Sequence, residues 1–293
     1  MKFHHREKLR RRKRCQVLST LPHLKGMPPL PTAPAAVDWG DTGLVAFPMD
    51  GNDQFGDCEY TAACHAVGAM TANVGREYVF DPGLVVQSYL TLAGGDYGLG
   101  TDTMMQAWKK GLCGTSHRIV DDMSIDPFDQ HAMTTGCWLF GGLFFTLAVP
   151  DPWLNIGPGG LWDSGPGIVA NPNNGHAVYI SGYNGAGLQV ETWGMKPPVL
   201  LTWSGLRCCD PEATVVWSED WLSDAAEAPN HYMREQLATI WAQLGGTEIP
   251  SISRTSGATI TIRVMGNVTA AQLVSVQQGN FLTVPQEKVI SLS

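Results

Sequence analysis

The sequence predicts an α+β fold in which a helical half precedes a sheet half. Between residues 58 and 112 apolar residues recur at helical spacing, whereas short strand-like segments begin at residue 176. The chain has 293 residues, of which 44% are hydrophobic and 16% charged, and this composition suits one well-cored domain with or without an appendage. Its 33 Gly and 19 Pro residues indicate many loops.

Three helices are expected in the first half, and the first of them carries the clearest pattern. Ala62, Ala66 and Met70 belong to a set at helical spacing, and Gly75 is suited to end the helix. Because this helix is rich in Ala and Gly, other elements can approach it closely, and we expect it to be central and buried. The three predicted helices cover residues 58–74, 82–92 and 103–112.

An apolar run at residues 138–149 is expected to form one buried strand. Its Phe, Thr and Val content favours a strand, and about 12 residues are too few to span a membrane. The acidic residues Asp121, Asp122 and Asp126 precede this run, and their spacing fits no EF-hand loop. We therefore interpret them as part of a solvated loop.

The second half is expected to contain four strands, followed by a helix. Asn230 is predicted to cap that helix, which has an amphipathic pattern and ends at Gly245. The predicted strands cover residues 176–182, 187–192, 199–203 and 213–217. The domain organisation that follows is a basic arm with a Pro-rich linker at 1–35, a main domain at 36–246 and a small β-rich αβ appendage at 247–293.

Charge is distributed unevenly along the chain. The net charge is −8, yet residues 1–14 contain eight basic residues and one acidic residue. This arm has three interpretations: a weak, nonspecific polyanion contact through Arg10–Arg14, docking on a subunit in a homo-oligomer or other assembly through residues 1–36 and 247–293, or a solvated tail. With no convincing signal peptide and no membrane span, we expect a cytoplasmic or virion-associated protein.

The cysteine pattern excludes a disulfide framework and a zinc module. The seven cysteines are odd in number and no pair has CxxC spacing. Reduced thiols are therefore the expected state, and one of them is a candidate nucleophile. Cys208 and Cys209 have no histidine nearby, and Cys64 and His65 are neighbours on one helix that face different directions, so all four are interpreted as structural.

Cys58 and His176 are the strongest candidates for chemistry. A reactive thiol must lose its proton near neutral pH, which a helix N-terminus and a nearby imidazole both promote. Cys58 follows a turn-rich stretch and begins the first predicted helix. His176 follows a Pro-Asn-Asn-Gly loop and begins an apolar strand, a position from which its imidazole can face a cleft.

Five motifs occur in order between residues 36 and 194, and together they are far more specific than any one alone. The motifs are Ala-Val-Asp-Trp at 36–39, Asn-Asp-Gln-Phe-Gly-Asp-Cys at 52–58, a Gly…Ala…Gly segment at 100–111, Gly-His-Ala-Val-Tyr-Ile-Ser-Gly-Tyr-Asn at 175–184 and Glu-Thr-Trp-Gly at 191–194. In this order they resemble the motifs of papain-like cysteine peptidases. The resemblance implies a two-lobed fold, with a helical lobe followed by an antiparallel sheet or barrel lobe.

The resemblance also implies a set of roles for the hydrolysis of peptide or amide bonds, with a peptide or protein substrate and with no metal or cofactor. Cys58 is implied as the nucleophile and His176 as the general base and acid. Gln54 is implied as a donor to the oxyanion beside the Cys58 backbone N–H, and Glu191 as the group that orients the imidazole. The implied shielding and supporting residues are Trp193, Gly56 and Gly175.

Three departures from the family pattern bear on activity. The orienting position holds Glu191 in place of Asn, and Asp57 and Glu59 flank the nucleophile. Two carboxylates beside a thiol oppose its ionisation unless they face solvent.

Two alternatives to an active peptidase therefore stay open. One is a catalytically weak or inactive structural or assembly protein, such as a virion or particle subunit, because the Gly-Asp-Cys and Thr-Trp-Gly motifs also resemble uncharacterised phage and actinobacterial proteins. The other is a transglutaminase-like enzyme, against which the motifs at 36–39 and 192–194 argue.

Overall fold

A computed structural model of the chain describes residues 32–41 and 47–250, together with the backbone of two strands at 260–264 and 288–292. The basic arm, including Arg10–Arg14, lies outside the described residues. So does most of the C-terminal appendage expected at 247–293, apart from these two strands. The chain forms two compact units, one that ends at Ile249 and a second that begins at Pro250.

Five α-helices are described, and their ends follow local chemistry. The side chain of Asp81 accepts a hydrogen bond from the Leu84 N–H at the start of the second helix, and Gly94, in the left-handed conformation, ends it. The helices are α1 (Cys58–Asn73), α2 (Pro82–Ala93), α3 (Thr101–Trp108), α4 (Gln130–Phe140) and α5 (Arg234–Gln243). None of the helices in the described ranges is long and apolar enough to cross a membrane.

The main unit contains one eight-stranded sheet. Its strands are β1 (Val37–Asp38), β2 (Ile119–Ile125), β3 (Leu143–Ala148), β4 (Leu161–Trp162), β5 (Gly175–Tyr183), β6 (Gly187–Glu191), β7 (Val199–Thr202) and β8 (Glu212–Ser218). The order is β2-β8-β3-β5-β6-β7-β4, with β1 paired to β5. All pairs are antiparallel except the short β4–β7 pair. The second unit contains a separate antiparallel pair, β9 (Ile260–Val264) and β10 (Lys288–Leu292).

Helix α1 is the centre of the main unit. All its residues from Glu59 to Ala72 are buried, and the helix packs against β5. Its small side chains permit this close approach, and a helix with apolar residues on all sides is stable only when it is enclosed. The expected central helix is therefore present, with its N-terminal residue Cys58 at the edge of the core.

Three expectations about the elements are wrong. The run at 138–149 is not one strand, because Phe140 ends α4 and Gly141 and Gly142, both at positive φ, turn the chain into β3. The segment interpreted as a solvated loop contains β2, in which Asp121 is buried and accepts hydrogen bonds from Trp241 and Thr247.

The third correction concerns the start of α5. Its cap is Met233 rather than Asn230. The Asn230 amide instead donates to the backbone carbonyls of Trp138 and Leu139, at 3.0 and 3.1 Å, and so ties the loop before α5 to the end of α4.

Candidate active site

The turn before α1 places Cys58 at the start of a buried helix. Backbone hydrogen bonds from Asn52 to Met49 and from Phe55 to Gly51, both 2.9 Å, close this turn. The N–H of Gly56 donates to Asp96 Oδ1 at 2.9 Å, which fixes the turn to the loop after α2. Gly56 thus supports the position of the helix N-terminus through its backbone.

His176 is the second residue of β5, and this strand positions its side chain. In the sheet register, Gly175 pairs with Ala148 and His176 with Leu147, both on β3. Backbone N–H groups of Ala177 and Glu59 face the Cys58 sulfur. The thiol therefore lies against the peptide group that follows His176, where α1 meets β5.

Thr192 is the hydrogen-bond partner of the His176 imidazole. Nε2 of His176 lies 2.7 Å from Thr192 Oγ1. When Nε2–H donates to this hydroxyl, Nδ1 keeps the lone pair that a general base needs. Thr192 was not selected from the sequence, although it belongs to the Glu-Thr-Trp-Gly motif.

Glu191 makes a different contact from the one expected. Its Oε1 accepts a hydrogen bond from Ser181 Oγ at 2.6 Å, and no hydrogen bond joins it to His176. The reason is the strand register, in which Glu191 pairs with Tyr179. Side chains alternate between the two faces of a strand, so Glu191 faces away from His176 and the next residue, Thr192, faces toward it.

Trp193 covers the imidazole. Its ring stacks on that of His176 with centroids 4.6 Å apart and an interplanar angle of 19°. Trp162 packs edge-on against Trp193, and Trp153 stacks on Trp162. This row of rings shields one face of the imidazole from water, which agrees with the 6% exposure of both His176 and Trp193.

Gln54, the expected oxyanion donor, is exposed on the turn, four residues before Cys58. The buried amide of the same turn belongs to Asn52, whose Nδ2 donates to Asp57 Oδ1 at 3.0 Å. Asn52 was not singled out from the sequence, because burial within a turn has no clear sequence signal.

The two carboxyl groups that flank Cys58 are buried. Asp57 is 0% exposed and Glu59 is 7% exposed, with Glu59 accepting a hydrogen bond from Thr101 at 3.0 Å. Burial raises the pKa of Asp57 to about 7, an effect that the hydrogen bond from Asn52 opposes. Since neither group faces solvent, both act on the thiol at short range.

Burial favours the uncharged forms of both candidate catalytic groups. It raises the pKa of Cys58 to about 12, with further contributions from the Glu59 and Asp57 carboxylates. It lowers the pKa of His176 to about 3, with a smaller contribution from His65. The resting pair is therefore a thiol and a neutral imidazole, opposite to the ionised pair that the helix N-terminus alone favours.

Comparison with solved structures identifies the fold. The chain is similar to the ragweed cysteine protease Amb a 11, solved in its proform, with 19% identity, a TM-score of 0.50 and coverage of 64% of this chain and 67% of that one. It is also similar to xylellain, a cysteine protease of Xylella fastidiosa, with 13% identity, a TM-score of 0.49 and coverage of 63% and 86%.

A third similar structure is the Carica candamarcensis cysteine protease CMS1MS2 in complex with E-64, with 13% identity, a TM-score of 0.47 and coverage of 63% and 98%. No protein-family model and no curated protein matches the sequence. The helices, the mixed sheet and the similarity to Amb a 11 show that the chain has the α+β papain-like fold.

Proposed function

We propose that this papain-like chain is a thiol hydrolase that cleaves peptide or amide bonds in a peptide or protein substrate. The observation that carries the proposal is the convergence of three elements. The N-terminus of α1 brings the Cys58 sulfur to the Ala177 N–H on β5, and the segment after β6 holds the His176 imidazole through Thr192. A thiol, a fixed imidazole and an aromatic cover are the parts that nucleophilic acyl transfer requires.

In the proposed reaction, Cys58 Sγ attacks the carbonyl carbon of the substrate while His176 accepts the thiol proton. His176 then donates this proton to the leaving amine, and water, activated by the same imidazole, hydrolyses the acyl-enzyme. The Cys58 backbone N–H at the start of α1 stabilises the oxyanion. Gln54 is the second donor in this proposal, since its exposed side chain lies on the turn that leads into the helix.

Burial sets the protonation of this site at rest, and the Glu59 and Asp57 carboxyl groups add to its effect on Cys58. Because the thiol and the imidazole are both neutral, the proton must pass within the pair as the substrate carbonyl is attacked. Thr192 aids this step by holding Nε2–H, so that the other ring nitrogen is ready to accept the proton. We expect turnover to be slow, because the raised pKa of Cys58 keeps almost all of the enzyme in the thiol form near neutral pH.

Labelling of Cys58 in the full chain tests the proposal. Iodoacetamide or an epoxysuccinyl reagent is added between pH 6 and 9, and peptide mapping by mass spectrometry identifies the modified cysteine. Because the thiolate fraction grows about tenfold per pH unit below the pKa, the rate at Cys58 should rise by this factor throughout the range. Hydrolysis of a quenched fluorescent casein is measured in parallel.

Cys58→Ser should abolish casein hydrolysis, whereas Cys208→Ser, a change at another partly exposed cysteine, should leave it intact. A Cys58→Ser protein that still hydrolyses casein would overturn the proposal, and so would a wild-type chain that hydrolyses no casein. A labelling rate that does not change with pH would be compatible with the hydrolase activity, but it would contradict the proposal that Cys58 and His176 are both neutral at rest. The alternative, a structural or assembly protein, predicts that the wild-type chain hydrolyses no substrate through Cys58.

A further inference from the structure

A second pair of thiols lies away from the candidate catalytic pair. Cys64 is on α1, six residues after Cys58, and is 4% exposed. Cys113 is in the short 3-10 turn Leu112–Gly114 and is partly exposed. The sulfur of Cys113 interacts with the side chains of Cys64, Ser88 and Tyr60. Two helices thus supply three hydrogen-bond donors to one sulfur, Tyr60 and Cys64 from α1 and Ser88 from α2.

The backbone of this turn fixes the Cys113 side chain in place. Cys113 has φ of 50°, in the left-handed region that non-glycine residues seldom adopt. Its N–H donates to the Tyr60 hydroxyl at 2.9 Å. The turn is closed by the hydrogen bond from Thr115 N to Leu112 O at 2.8 Å. An unfavourable backbone conformation held by such contacts is common where a side chain must be aimed.

Solvent reaches this cluster through a surface pocket. The pocket has a volume of about 350 Å³ and is lined by Tyr60, Gln87, Ser88, Thr91, Leu92 and Gly114. Two of these residues, Tyr60 and Ser88, also contact the Cys113 sulfur, and Gly114 is its neighbour in the chain. A small polar molecule that enters the pocket therefore comes close to Cys113, while Cys64 stays enclosed behind it.

Exposure divides the roles of the two thiols. Cys113 is partly exposed beside the pocket, whereas Cys64 is 4% exposed. The side chains of Cys64, Ser88 and Tyr60 lower the pKa of Cys113, against the opposing effect of burial, and burial raises the pKa of Cys64 well above its usual range. Cys113 is thus the sulfur that a small reactant meets first, with Cys64 enclosed behind it.

We propose that Cys113 is a peroxide-reactive thiol with Cys64 as its resolving partner, and that their oxidation joins α1 to the 112–114 turn by a disulfide. This proposal does not depend on the hydrolase activity of Cys58. It rests on the thiol-to-thiol contact, the three donors around one sulfur and the pocket that opens beside it.

The oxidation occurs in two balanced steps. The Cys113 sulfur attacks one oxygen of hydrogen peroxide, the O–O bond breaks and the leaving oxygen departs as water after protonation, which leaves a sulfenic acid. The Cys64 sulfur then attacks the sulfenic sulfur, the S–O bond breaks and a second water leaves with the Cys64 proton. The two thiols lose two electrons and the peroxide gains them.

Peptide mapping of the oxidised full chain tests the pair. The protein is treated with a small molar excess of hydrogen peroxide at pH 7, remaining thiols are alkylated, and the digest is analysed without reduction. A linked peptide that contains Cys64 and Cys113 is expected, and reduction should release it. The same result is expected in Cys58→Ser, which separates this site from the proposed nucleophile.

Variants assign the order of events. In Cys64→Ala, Cys113 should accumulate as a sulfenic acid that dimedone traps, and in Cys113→Ser neither the adduct nor the linked peptide should form. Cys208→Ser should behave as the wild type. The proposal is overturned if Cys113 in the wild type is oxidised no faster than Cys208, or if its disulfide partner is a cysteine other than Cys64.

Discussion

At the scale of single residues, the decisive feature is the balance of forces on the Cys58 thiol. A rise of the pKa from its ordinary value of 9.0 to about 12 opposes the thiolate by at most roughly 4 kcal/mol, an upper bound because Cys58 is partly exposed to solvent. A helix N-terminus contributes about 0.3–1 kcal/mol, or up to about 2 kcal/mol in partly buried positions. Burial therefore outweighs the helix dipole at this site.

Thr192 is the positioning residue of the proposed mechanism, and substitutions distinguish its role from that of Glu191. Thr192→Val removes the hydroxyl that contacts His176 at 2.7 Å but keeps the shape of the side chain. We expect kcat for casein hydrolysis to fall about 10- to 100-fold with little change in KM, since a buried hydrogen bond contributes about 1–3 kcal/mol when one partner is lost.

Two further variants control this prediction. Thr192→Ser keeps the hydroxyl and should restore most of kcat. Glu191→Gln changes the neighbouring residue, which contacts Ser181 instead, and should alter kcat by less than about threefold. If Glu191→Gln impairs kcat as severely as Thr192→Val, the assignment of the orienting group to Thr192 is incorrect.

At the scale of secondary structure, the junction between α4 and β3 decides how the apolar run at 138–149 folds. Gly141 at φ 76° ends the helix, and Gly142 at φ 110° starts the strand in the opposite direction. The Tyr179 hydroxyl donates to the Gly141 carbonyl and so closes this junction against β5. Glycine is needed at both positions because a side chain at such φ values is strained.

Substitution of Gly142 should show this requirement. A Cβ at this position would clash with the Tyr179 side chain in addition to straining the backbone, so Gly142→Ala should destabilise the fold by more than about 1 kcal/mol. Gly185→Ala is the matched control, because nothing lies near its Cβ position, and we expect a change below about 0.5 kcal/mol. Urea unfolding measures both, and equal effects would contradict the argument.

At the scale of the whole molecule, buried titratable groups link stability to pH. Burial raises the pKa values of Asp50, Asp57 and Glu191 to about 7 each, and lowers those of His65 and His176 to about 4 and about 3. In the folded state the three carboxyl groups keep protons that they have lost in the unfolded chain. Their contribution to the free energy of unfolding therefore falls as pH rises toward 7. The two histidines stay neutral while those of the unfolded chain are protonated, so their contribution rises with pH up to about 6.5.

Because three carboxyl groups oppose two histidines, the folded state holds about one net extra proton between pH 5 and 7. The melting temperature should therefore decrease from pH 5 to pH 6.5, the range below the titration of Cys113, whose pKa is lowered by its neighbours. Asp57→Asn removes one of the three carboxyl groups and should make the profile nearly flat. Asp53→Asn, a change at an exposed residue of the same turn, should keep the wild-type slope. A wild-type melting temperature that increases over this range would contradict the argument.

Much of the fold was predictable because its signals are local. The Ala-rich pattern of α1 and the apolar segments of β5 to β8 depend on neighbouring residues, and the structure has these elements near the expected bounds. The strand β2 was missed because one of its inward positions holds Asp121, whose cost of burial is offset by Trp241 and Thr247 from far along the chain. No local pattern contains those partners.

By itself, the sequence determined that Cys58 begins a helix and that His176 begins a strand, because turn residues and apolar spacing act over a few positions. Only the tertiary structure decided which side chain meets the imidazole. The β5–β6 register turns Thr192 toward His176 and Glu191 away from it, and a shift of one residue would exchange them. The fold also enclosed Asp57 and Glu59, and removal from water, rather than residue type, reversed the expected ionisation of the thiol.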